Sequence, residues 1–379
     1  MESKNAVFLI NSLEGGGAER VMVNMLSILE PYFSRKPMCV YLILLDDLPE
    51  EHSCPSYVHK IVLNSRGSLL RGYSQLSNVL SDLNPTFCLS FLTRSNLINA
   101  VLGKRLGYPA IISERVHTSS HLSTGLKHSI TKKLVKMTYK HASAVIGVAE
   151  GVKSDLVQHY SVPKSKVSVL YNPYNIPRLQ KLAEEPIADI PNVNYIVGIG
   201  RLVKNKNFSL LINSFAKANL SLHLVILGVG DEEASLKALA SQLGVKDKVH
   251  FVGFKPNPYP YIANATLFVS TSNAEGFPNA IVEAMCLGKP VIATNCKSGP
   301  AEIIAERFPY EITTLSIEKN GILCPMNNQE AVTEALSFMC SHKNIDHFQK
   351  QSLLCAKRFS YAAFEERVTA ILDEVGTHV

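Results

Sequence analysis

Residues 270–300 have the sequence STSNAEGFPNAIVEAMCLGKPVIATNCKSGP, and this stretch decides the fold of the half of the chain that contains it. The apolar run at 265–270, at its start, predicts a buried strand. Pro278 and Asn279 then suit the start of a helix, with proline in the first turn and asparagine as the cap, and Gly288 suits its end. Because the helix between them has no polar stripe, we expect it to be buried on all sides, as in a layered α/β domain.

Two carboxylates, Glu275 and Glu283, bracket the N-terminus of this predicted helix in an E-x7-E arrangement. A buried carboxylate has to be neutralised or hydrogen-bonded to donors, yet no Lys or Arg lies within one turn of Glu283. The hydroxyl groups of a ligand would supply such donors. Since a helix N-terminus also attracts anions, the stretch suits a ligand that has both hydroxyls and phosphates, such as a sugar nucleotide.

The composition is that of a folded protein of about two domains, with 379 residues, of which 46% are hydrophobic and 18% charged. No apolar run approaches the roughly 20 residues of a membrane-spanning helix, and the N-terminus suits a first strand rather than a secretion signal. The eight cysteines are scattered without metal-ligand spacing, which indicates free thiols in a reducing cytosol. The net charge of +6 favours an anionic partner, but no pattern for nucleic-acid binding is present.

Apolar runs and amphipathic stretches alternate along the chain in two successive series. This alternation predicts an α/β protein with two Rossmann-like, doubly wound domains that face a cleft, where ligands bind beyond the carboxyl ends of the strands. We predict a first Rossmann-like domain over residues 1–172, a second Rossmann-like domain over 173–360, and a C-terminal helix over 361–379. The turn-rich segment that follows residue 172 sets the boundary.

The motif E-G-F-P-N-A-I-V-E-A-M, followed by G-K-P-V-I-A-T and S-G-P, resembles that of the retaining glycosyltransferases of family 4, which have the GT-B fold. The resemblance implies that Glu275 contacts the donor sugar and Glu283 the ribose hydroxyls of the donor. It also implies that the first domain, 1–172, binds the acceptor and that the second domain, 173–360, binds the nucleotide sugar. The C-terminal helix, 361–379, would cross back onto the first domain. The remaining residues of the motif would present backbone groups to the donor, namely Phe277, Pro278, Asn279 and Ala280.

Two cations, Arg201 and Lys206, follow the predicted strand 195–200 and point toward the same edge of the sheet. Together they suit the neutralisation of a diphosphate leaving group, arginine as a fork and lysine as a point charge. The sequence has no D-x-D motif for a metal ion. The family shows cations at the matching positions, so we predict catalysis by these side chains without a metal or any other cofactor.

Glycine-rich turns after three predicted strands are candidates for close backbone approach to the donor. Gly15, Gly16 and Gly17 lack the Walker lysine and the G-x-G-x-x-G spacing, so neither ATP hydrolysis nor NAD binding is indicated. They resemble the first loop of the family, which closes over the donor diphosphate. By the same resemblance, the nucleotide would lie near Gly228 and Gly230, and the base near Gly253 and Phe254.

His117 is the candidate in the first domain for a contact with the donor sugar or the acceptor, because the family has a histidine in this region. Arg115 is a candidate contact for an acceptor phosphate. His121 is close enough in sequence to be an alternative to His117. One departure from the family pattern is Ala149, which stands where a serine commonly precedes Glu-Gly-Val.

The segment 126–140 has a basic amphipathic pattern, with Leu126, Ile130, Leu134 and Met137 on one helix face and Lys132, Lys133, Lys136 and Lys140 beside it. Such a helix can lie on an anionic membrane surface. The alternative is a helix that faces the core and has a solvated lysine face. Since many relatives act on polyprenyl-linked acceptors, we predict peripheral association with the anionic inner membrane, at its cytoplasmic face.

The sequence therefore predicts a metal-independent, retaining glycosyltransferase that moves a hexose or N-acetylhexosamine from a UDP-sugar. The acceptor would be a polyprenyl-linked or oligosaccharide hydroxyl in the assembly of a bacterial O-antigen, capsule or N-glycan. Two alternatives stay open. A sugar-nucleotide epimerase of the same fold would need further acid and base groups, and a non-catalytic partner subunit would not need the two cations and two carboxylates.

Overall fold

The computed structural model describes residues 4–121, 126–187, 189–190, 193–340 and 342–376. The chain divides into two compact units of similar size. The first contains the residues up to Pro173 together with the helix that begins at Tyr361, and the second is Tyr174–Ser360. None of the helices in the ranges just given is both long and apolar enough to cross a bilayer.

The first unit is built on a seven-stranded parallel sheet with the strand order β3-β2-β1-β4-β5-β6-β7. Its strands and helices up to Val169 are β1 (Lys4–Ile10), α1 (Gly17–Ser34), β2 (Met38–Leu44), β3 (Val58–Val62), α2 (Leu69–Leu83), β4 (Phe87–Phe91), α3 (Thr93–Leu106), β5 (Ala110–Glu114), α4 (Thr118–His121), α5 (Leu126–Thr138), β6 (Ala144–Gly147), α6 (Glu150–Tyr160) and β7 (Val167–Val169).

Helices cover both faces of this sheet, so its strands are apolar on both sides. In β1, Ala6, Phe8 and Ile10 belong to the core on one face, whereas Val7 and Leu9 belong to the core on the other. All five side chains are inaccessible to solvent. This is why the strand appears in the sequence as a continuous apolar run rather than as an alternating pattern.

The second unit is also built on a seven-stranded sheet, with the order β10-β9-β8-β11-β12-β14-β13. Its elements are α7 (Ile176–Leu182), β8 (Tyr195–Ile199), α8 (Phe208–Ala218), β9 (His223–Leu227), α9 (Glu233–Gln242), β10 (Val249–Gly253), α10 (Tyr259–Asn264), β11 (Leu267–Ser270), α11 (Asn279–Cys286), β12 (Val291–Thr294), α12 (Pro300–Ile304), β13 (Ser316–Glu318), β14 (Gly321–Cys324), α13 (Gln329–Met339) and α14 (His342–Ala356).

All strand pairs of this second sheet are parallel except β13 with β14. The sequence did not predict β13, because a strand of three residues at the sheet edge leaves no run long enough to recognise. The last helix, α15 (Tyr361–Gly376), belongs to the first unit, where Phe364, Val368 and Leu372 enter the core beside α1. Lys36 and Asp373 form an ion pair at 2.7 Å on the outside of this helix pair.

The strand order reverses once in each sheet, between β1 and β4 in the first unit and between β8 and β11 in the second. Loops that leave neighbouring strands at such a point run in opposite directions and open a crevice for a ligand. The loops at the reversal in the second unit are residues 200–207 and 271–278. They contain both cations and the first carboxylate that the sequence analysis selected.

Candidate functional site

Several hydrogen bonds join the two loops at the reversal point of the second sheet. Asn205 Nδ2 donates to the carbonyl of Ala274 at 2.8 Å, and the amide of Asn273 donates to the carbonyl of Asn205 at 2.8 Å. The Thr271 hydroxyl donates to the carbonyl of Asn207 at 2.9 Å. The sequence analysis did not select these residues, because short polar side chains in loops carry no distinctive pattern. Their contacts fix where the charged side chains of the two loops lie.

Lys206 and Glu275 meet across these loops, with the ammonium nitrogen 2.5 Å from Oε1 of the carboxylate. The two residues are separated by 69 positions in the chain. Both side chains are largely removed from solvent, so the pair is less screened than one on the surface. A cation and an acid held together in this way can exchange their mutual contact for contacts with a ligand that has a phosphate and a hydroxyl.

The loop that carries Arg201 is held by its neighbour, the turn Gly228–Gly230. The amide of Leu202 donates to the carbonyl of Val229 at 2.9 Å. Gly228 has a φ of +137°, and a Cβ there would lie 1.9 Å from the carbonyl oxygen of Gly200. A Cβ on Gly230 would lie 2.3 Å from the carbonyl oxygen of Leu202. The two glycines are therefore explained by the packing of the loops, and the exposed Arg201 side chain projects from this support.

Helix α11 is buried on all sides, as the sequence predicts, and its carboxylate Glu283 is only 7% exposed. The prediction that Asn279 caps the helix is wrong. Pro278 occupies the N-cap, and Asn279 is the first helical residue and accepts a hydrogen bond from the Tyr174 hydroxyl at 2.5 Å. The asparagine contributes to a tertiary contact, which a local capping rule cannot detect.

The S-G-P segment supports the loop before α11. The Ser298 hydroxyl donates to the carbonyl of Gly276 at 2.7 Å. Gly299 has a φ of +97°, and a Cβ there would lie 2.2 Å from Cδ of Pro278. The ring of Phe277 packs at 5.6 Å from that of Phe359, so its side chain is committed to the protein interior.

Two predicted contacts of the nucleotide base, Gly253 and Phe254, lie at the C-terminal end of β10. Gly253 has a φ of +71° with open space around its missing side chain, and its carbonyl accepts from the amide of Gly228 at 2.8 Å. Phe254 is strongly exposed. An exposed aromatic ring beside a left-handed turn suits stacking with a base. Ala280, a predicted donor contact of the other motif, lies half-buried in the first turn of α11.

The candidates of the first unit lie after β1 and β5. Gly16 is the N-cap of α1 with an ordinary extended conformation, so the Gly15–Gly17 loop does not need glycine for its backbone dihedrals. His117 Nδ1 lies 3.9 Å from Oδ2 of the buried Asp155. Arg115 is buried, donates to Asn172 and lies over the Phe91 ring at 4.7 Å. Its guanidinium is thus engaged within the unit rather than presented to a phosphate.

Asp155 was not selected from the sequence, although it lies on the buried face of α6 between Val152 and Leu156. The position of this acid on the apolar face of a helix was the sequence signal that could have identified it. Ala149 is the N-cap of α6 and makes no side-chain cap, as its departure from the family pattern implies. No group of three His, Cys, Asp or Glu residues with the geometry for a metal ion occurs in the part of the chain that the structure covers.

Glu114, at the end of β5, is a buried carboxyl that accepts a hydrogen bond from the Tyr139 hydroxyl at 2.7 Å. Burial raises its pKa above the ordinary glutamate value, and the hydrogen bonds to it oppose this only in part. The folded first unit therefore binds this proton more tightly than the unfolded chain does. The protonated Glu114 carboxyl therefore stabilises the folded state at acidic pH, and this stabilisation decreases as the pH rises through the raised pKa.

We expect the variant Glu114→Gln to keep the acceptor for Tyr139 and to remove this titration. Its free energy of unfolding, measured with urea between about pH 5 and about pH 8, should decrease less than that of the unmodified protein. The substitution Glu311→Gln, at an exposed loop position of the second unit, is the control. Equal pH dependence in the Glu114→Gln variant and the unmodified protein would show that the Glu114 carboxyl stays ionised.

The apolar stripe of α5 is not packed into the core. Ile130 and Met137 are each 54% exposed, and Leu134 between them is half-buried. Lys133, Lys136 and Lys140 are exposed, whereas Lys132 is half-buried. The core is contacted instead by Val135, which is inaccessible to solvent. The side chains of Leu126 and His121 lie outside the described residues.

Comparisons with known proteins agree with this architecture. Residues 15–178 match the family described as Glycosyltransferase Family 4, and residues 182–352 match the family described as Glycosyl transferases group 1. A Campylobacter jejuni protein, N-acetylgalactosamine-N,N'-diacetylbacillosaminyl-diphospho-undecaprenol 4-alpha-N-acetylgalactosaminyltransferase, is 31% identical over 344 residues, which cover 87% of this chain and 88% of that protein. The lipopolysaccharide 1,6-galactosyltransferase of Salmonella typhimurium is 28% identical over 185 residues, or 46% and 51% of the two chains.

Solved structures share the fold. The Anabaena HepE protein in complex with UDP superposes with a TM-score of 0.75 at 19% identity, over 98% of this chain and 100% of that chain. The lipopolysaccharide outer core galactosyltransferase WaaB in its apo form gives a TM-score of 0.75 at 20% identity, over 98% and 99%.

Two doubly wound sheets of this topology, together with these structural neighbours, define the GT-B fold. The matches along both halves of the sequence and the extended identity to the Campylobacter enzyme are more specific than the fold. The chain belongs to glycosyltransferase family 4, and its relatives act in the assembly of bacterial lipopolysaccharides and related glycans.

Proposed function

We propose that the protein transfers a hexose or N-acetylhexosamine from a UDP-sugar to a polyprenyl-linked or oligosaccharide acceptor, with retention of configuration and without a metal ion. The observation that carries this proposal is the Lys206–Glu275 pair at the reversal point of the second sheet, in the loops before the helix that contains the buried Glu283. The Campylobacter relative is named for an acceptor linked to diphospho-undecaprenol, and the Anabaena HepE structure contains UDP.

In the proposed reaction, Lys206 leaves Glu275 for the donor diphosphate, and Arg201 binds the same group as a fork. In their new positions the two cations stabilise the negative charge that develops on the departing UDP. Glu275, released from Lys206, accepts hydrogen bonds from the sugar hydroxyls, and Glu283 accepts them from the ribose. Gly15–Gly17 and His117 are proposed contacts from the first unit.

The proposed location is the cytoplasmic face of the inner membrane. Support comes from the exposed Ile130 and Met137, which lie beside the lysines of α5. A surface with apolar and cationic side chains suits the interface of an anionic membrane, where each cation near the surface contributes about 1 kcal/mol of attraction.

The first test is a screen of nucleotide sugars for thermal stabilisation, because a ligand at about a hundred times its Kd adds about 2.7 kcal/mol to the stability of the folded state. A UDP-sugar should stabilise the protein more than the corresponding GDP-sugar. With that donor and an acceptor, UDP release should be rapid, and it should fall at least about a hundredfold in Arg201→Ala.

Two further readouts complete this test. NMR of the product should show the anomeric configuration of the donor, and the rate should be unchanged by EDTA. An inverted product or a rate abolished by EDTA would overturn the retaining or metal-independent part of the proposal. Stabilisation by a UDP-sugar without transfer to any acceptor would favour the non-catalytic alternative.

A further inference from the structure

Helices α2, α3 and α5 of the first unit enclose an open cavity of ≈120 Å³. Its walls include Leu69, Leu70 and Tyr73 of α2, Leu97 and Val101 of α3, and Leu134 of α5. We call this cavity the α2–α3–α5 groove. The Leu, Ile and Val residues in the lining have no polar side-chain atoms, and the two hydroxyl residues have their oxygen atoms engaged elsewhere. Thr138 donates to the carbonyl of Leu134 at 2.8 Å, and Tyr73 accepts from Arg105 at 2.8 Å.

Large apolar side chains around the groove are unusually exposed. Leu70 is 81% exposed and Val101 37%. Ile130 and Met137 lie one turn before and one turn after Leu134 on α5, and they continue the apolar surface beyond the groove. A contiguous apolar patch of this kind on a folded protein marks a binding surface rather than random exposure.

Cations surround this apolar surface. Arg71 follows Leu70 directly, Lys133 and Lys136 flank Leu134, and all three are exposed. The hydrogen bond from Arg105 to Tyr73 fixes a guanidinium at the rim. The only acidic residue in the three helices is Asp82, at the far end of α2. The groove is therefore complementary to a ligand with a hydrocarbon chain and an anionic head group.

We propose that the α2–α3–α5 groove binds the hydrocarbon chain of a polyprenyl diphosphate, the lipid part of the acceptor, and that the surrounding cations attract its diphosphate. This inference rests on the proposed function for the identity of the lipid. A concave, apolar cavity can enclose a single hydrocarbon chain on several sides. A flat bilayer surface, in contrast, would contact only the rim of the cavity. The chain thus gains more apolar burial inside the groove than it would beside it.

The test is calorimetric titration with geranylgeranyl diphosphate and, separately, with inorganic diphosphate. The variant Leu70→Asp places a carboxylate in the groove at a position so exposed that folding is not at stake, and Val101→Phe fills the groove without adding charge. Leu48→Asp is the matched control, because Leu48 is 42% exposed in the same unit and does not line the groove. Each groove variant should bind the prenyl compound at least about tenfold more weakly, which is the effect of losing one buried leucine-sized contact.

The control should bind the prenyl compound as tightly as the unmodified protein does. Inorganic diphosphate should bind equally to the unmodified protein and to Val101→Phe.

Two results would overturn the proposal. One is that geranylgeranyl diphosphate does not bind to the unmodified protein, or binds to the groove variants with the same affinity as to the unmodified protein. The other concerns phosphatidylcholine–phosphatidylglycerol vesicles without prenyl lipid. If the groove variants lose as much affinity for these vesicles as for the prenyl compound, the bilayer itself would be the occupant. Titration of UDP into the same proteins reports on the proposed function separately. Unchanged UDP binding with a negative prenyl result rejects the groove alone, and absent UDP binding in the unmodified protein rejects the donor assignment.

Discussion

The variant Lys206→Ala is expected to lower kcat by about a hundredfold to a thousandfold. Removing one preorganised donor to a developing negative charge has costs of this size in other enzymes, about 2.7–4 kcal/mol of transition-state stabilisation. Here Glu275 holds the lysine at the reversal point of the sheet, at 2.5 Å, and the donor diphosphate would replace this partner before the reaction. The measurement is steady-state UDP release at saturating donor and acceptor.

Lys204→Ala is the matched control for this result. Lys204 belongs to the same 3-10 turn as Lys206, is exposed, and makes no ion pair among the described residues. Its removal changes the net charge of the loop equally, so a general loss of positive potential would lower both rates alike. A Lys206→Ala enzyme with the kcat of the unmodified protein and only a raised KM would show that the lysine binds the donor without stabilising the transition state.

The second large effect is expected for Gly228→Ala, which should lower the free energy of unfolding of the second unit by about 3 kcal/mol or more. Two costs combine there. Alanine is strained at a φ of +137°, by about 1–3 kcal/mol. In addition, its Cβ would lie 1.9 Å from the carbonyl oxygen of Gly200, so the backbone before Arg201 would have to move, at about 1–3 kcal/mol for an overpacked site.

Gly244→Ala separates the two costs. Gly244 has a φ of +71°, but no atom lies within 4 Å of the position of its Cβ. This variant should lose only the conformational part, about 1 kcal/mol. Chemical denaturation of both variants measures the difference. Equal losses at the two positions would contradict the packing argument, and they would leave Gly228 explained by its dihedral angles alone.

Local sequence patterns were sufficient for most of the fold. The apolar runs of the strands and the helical periodicity of segments such as 208–218 arise from interactions between near neighbours, and the structure has α8 at that range. The α/β class and family 4 are confirmed, and helix α11 is buried as predicted. The roles of the candidate site residues stay predictions.

Local patterns failed where a residue serves a distant partner. The cap assigned to Asn279 was wrong because its side chain meets Tyr174, 105 positions away. Asp155 was missed for the same reason, and Ser298 was included only as part of the S-G-P motif. Their contacts are with a histidine and a backbone carbonyl that only the folded chain brings near them.

The sequence by itself determined the two doubly wound sheets, the family and the identities of the acids and cations at the candidate site, because each depends on residue types at short, regular spacing. The tertiary structure alone decided that Lys206 meets Glu275, that Gly228 supports the loop of Arg201, and that Ile130 and Met137 of α5 stay exposed. The first two facts depend on contacts between distant segments and the third on which surface is left uncovered after the chain has packed. No spacing along the chain encodes them.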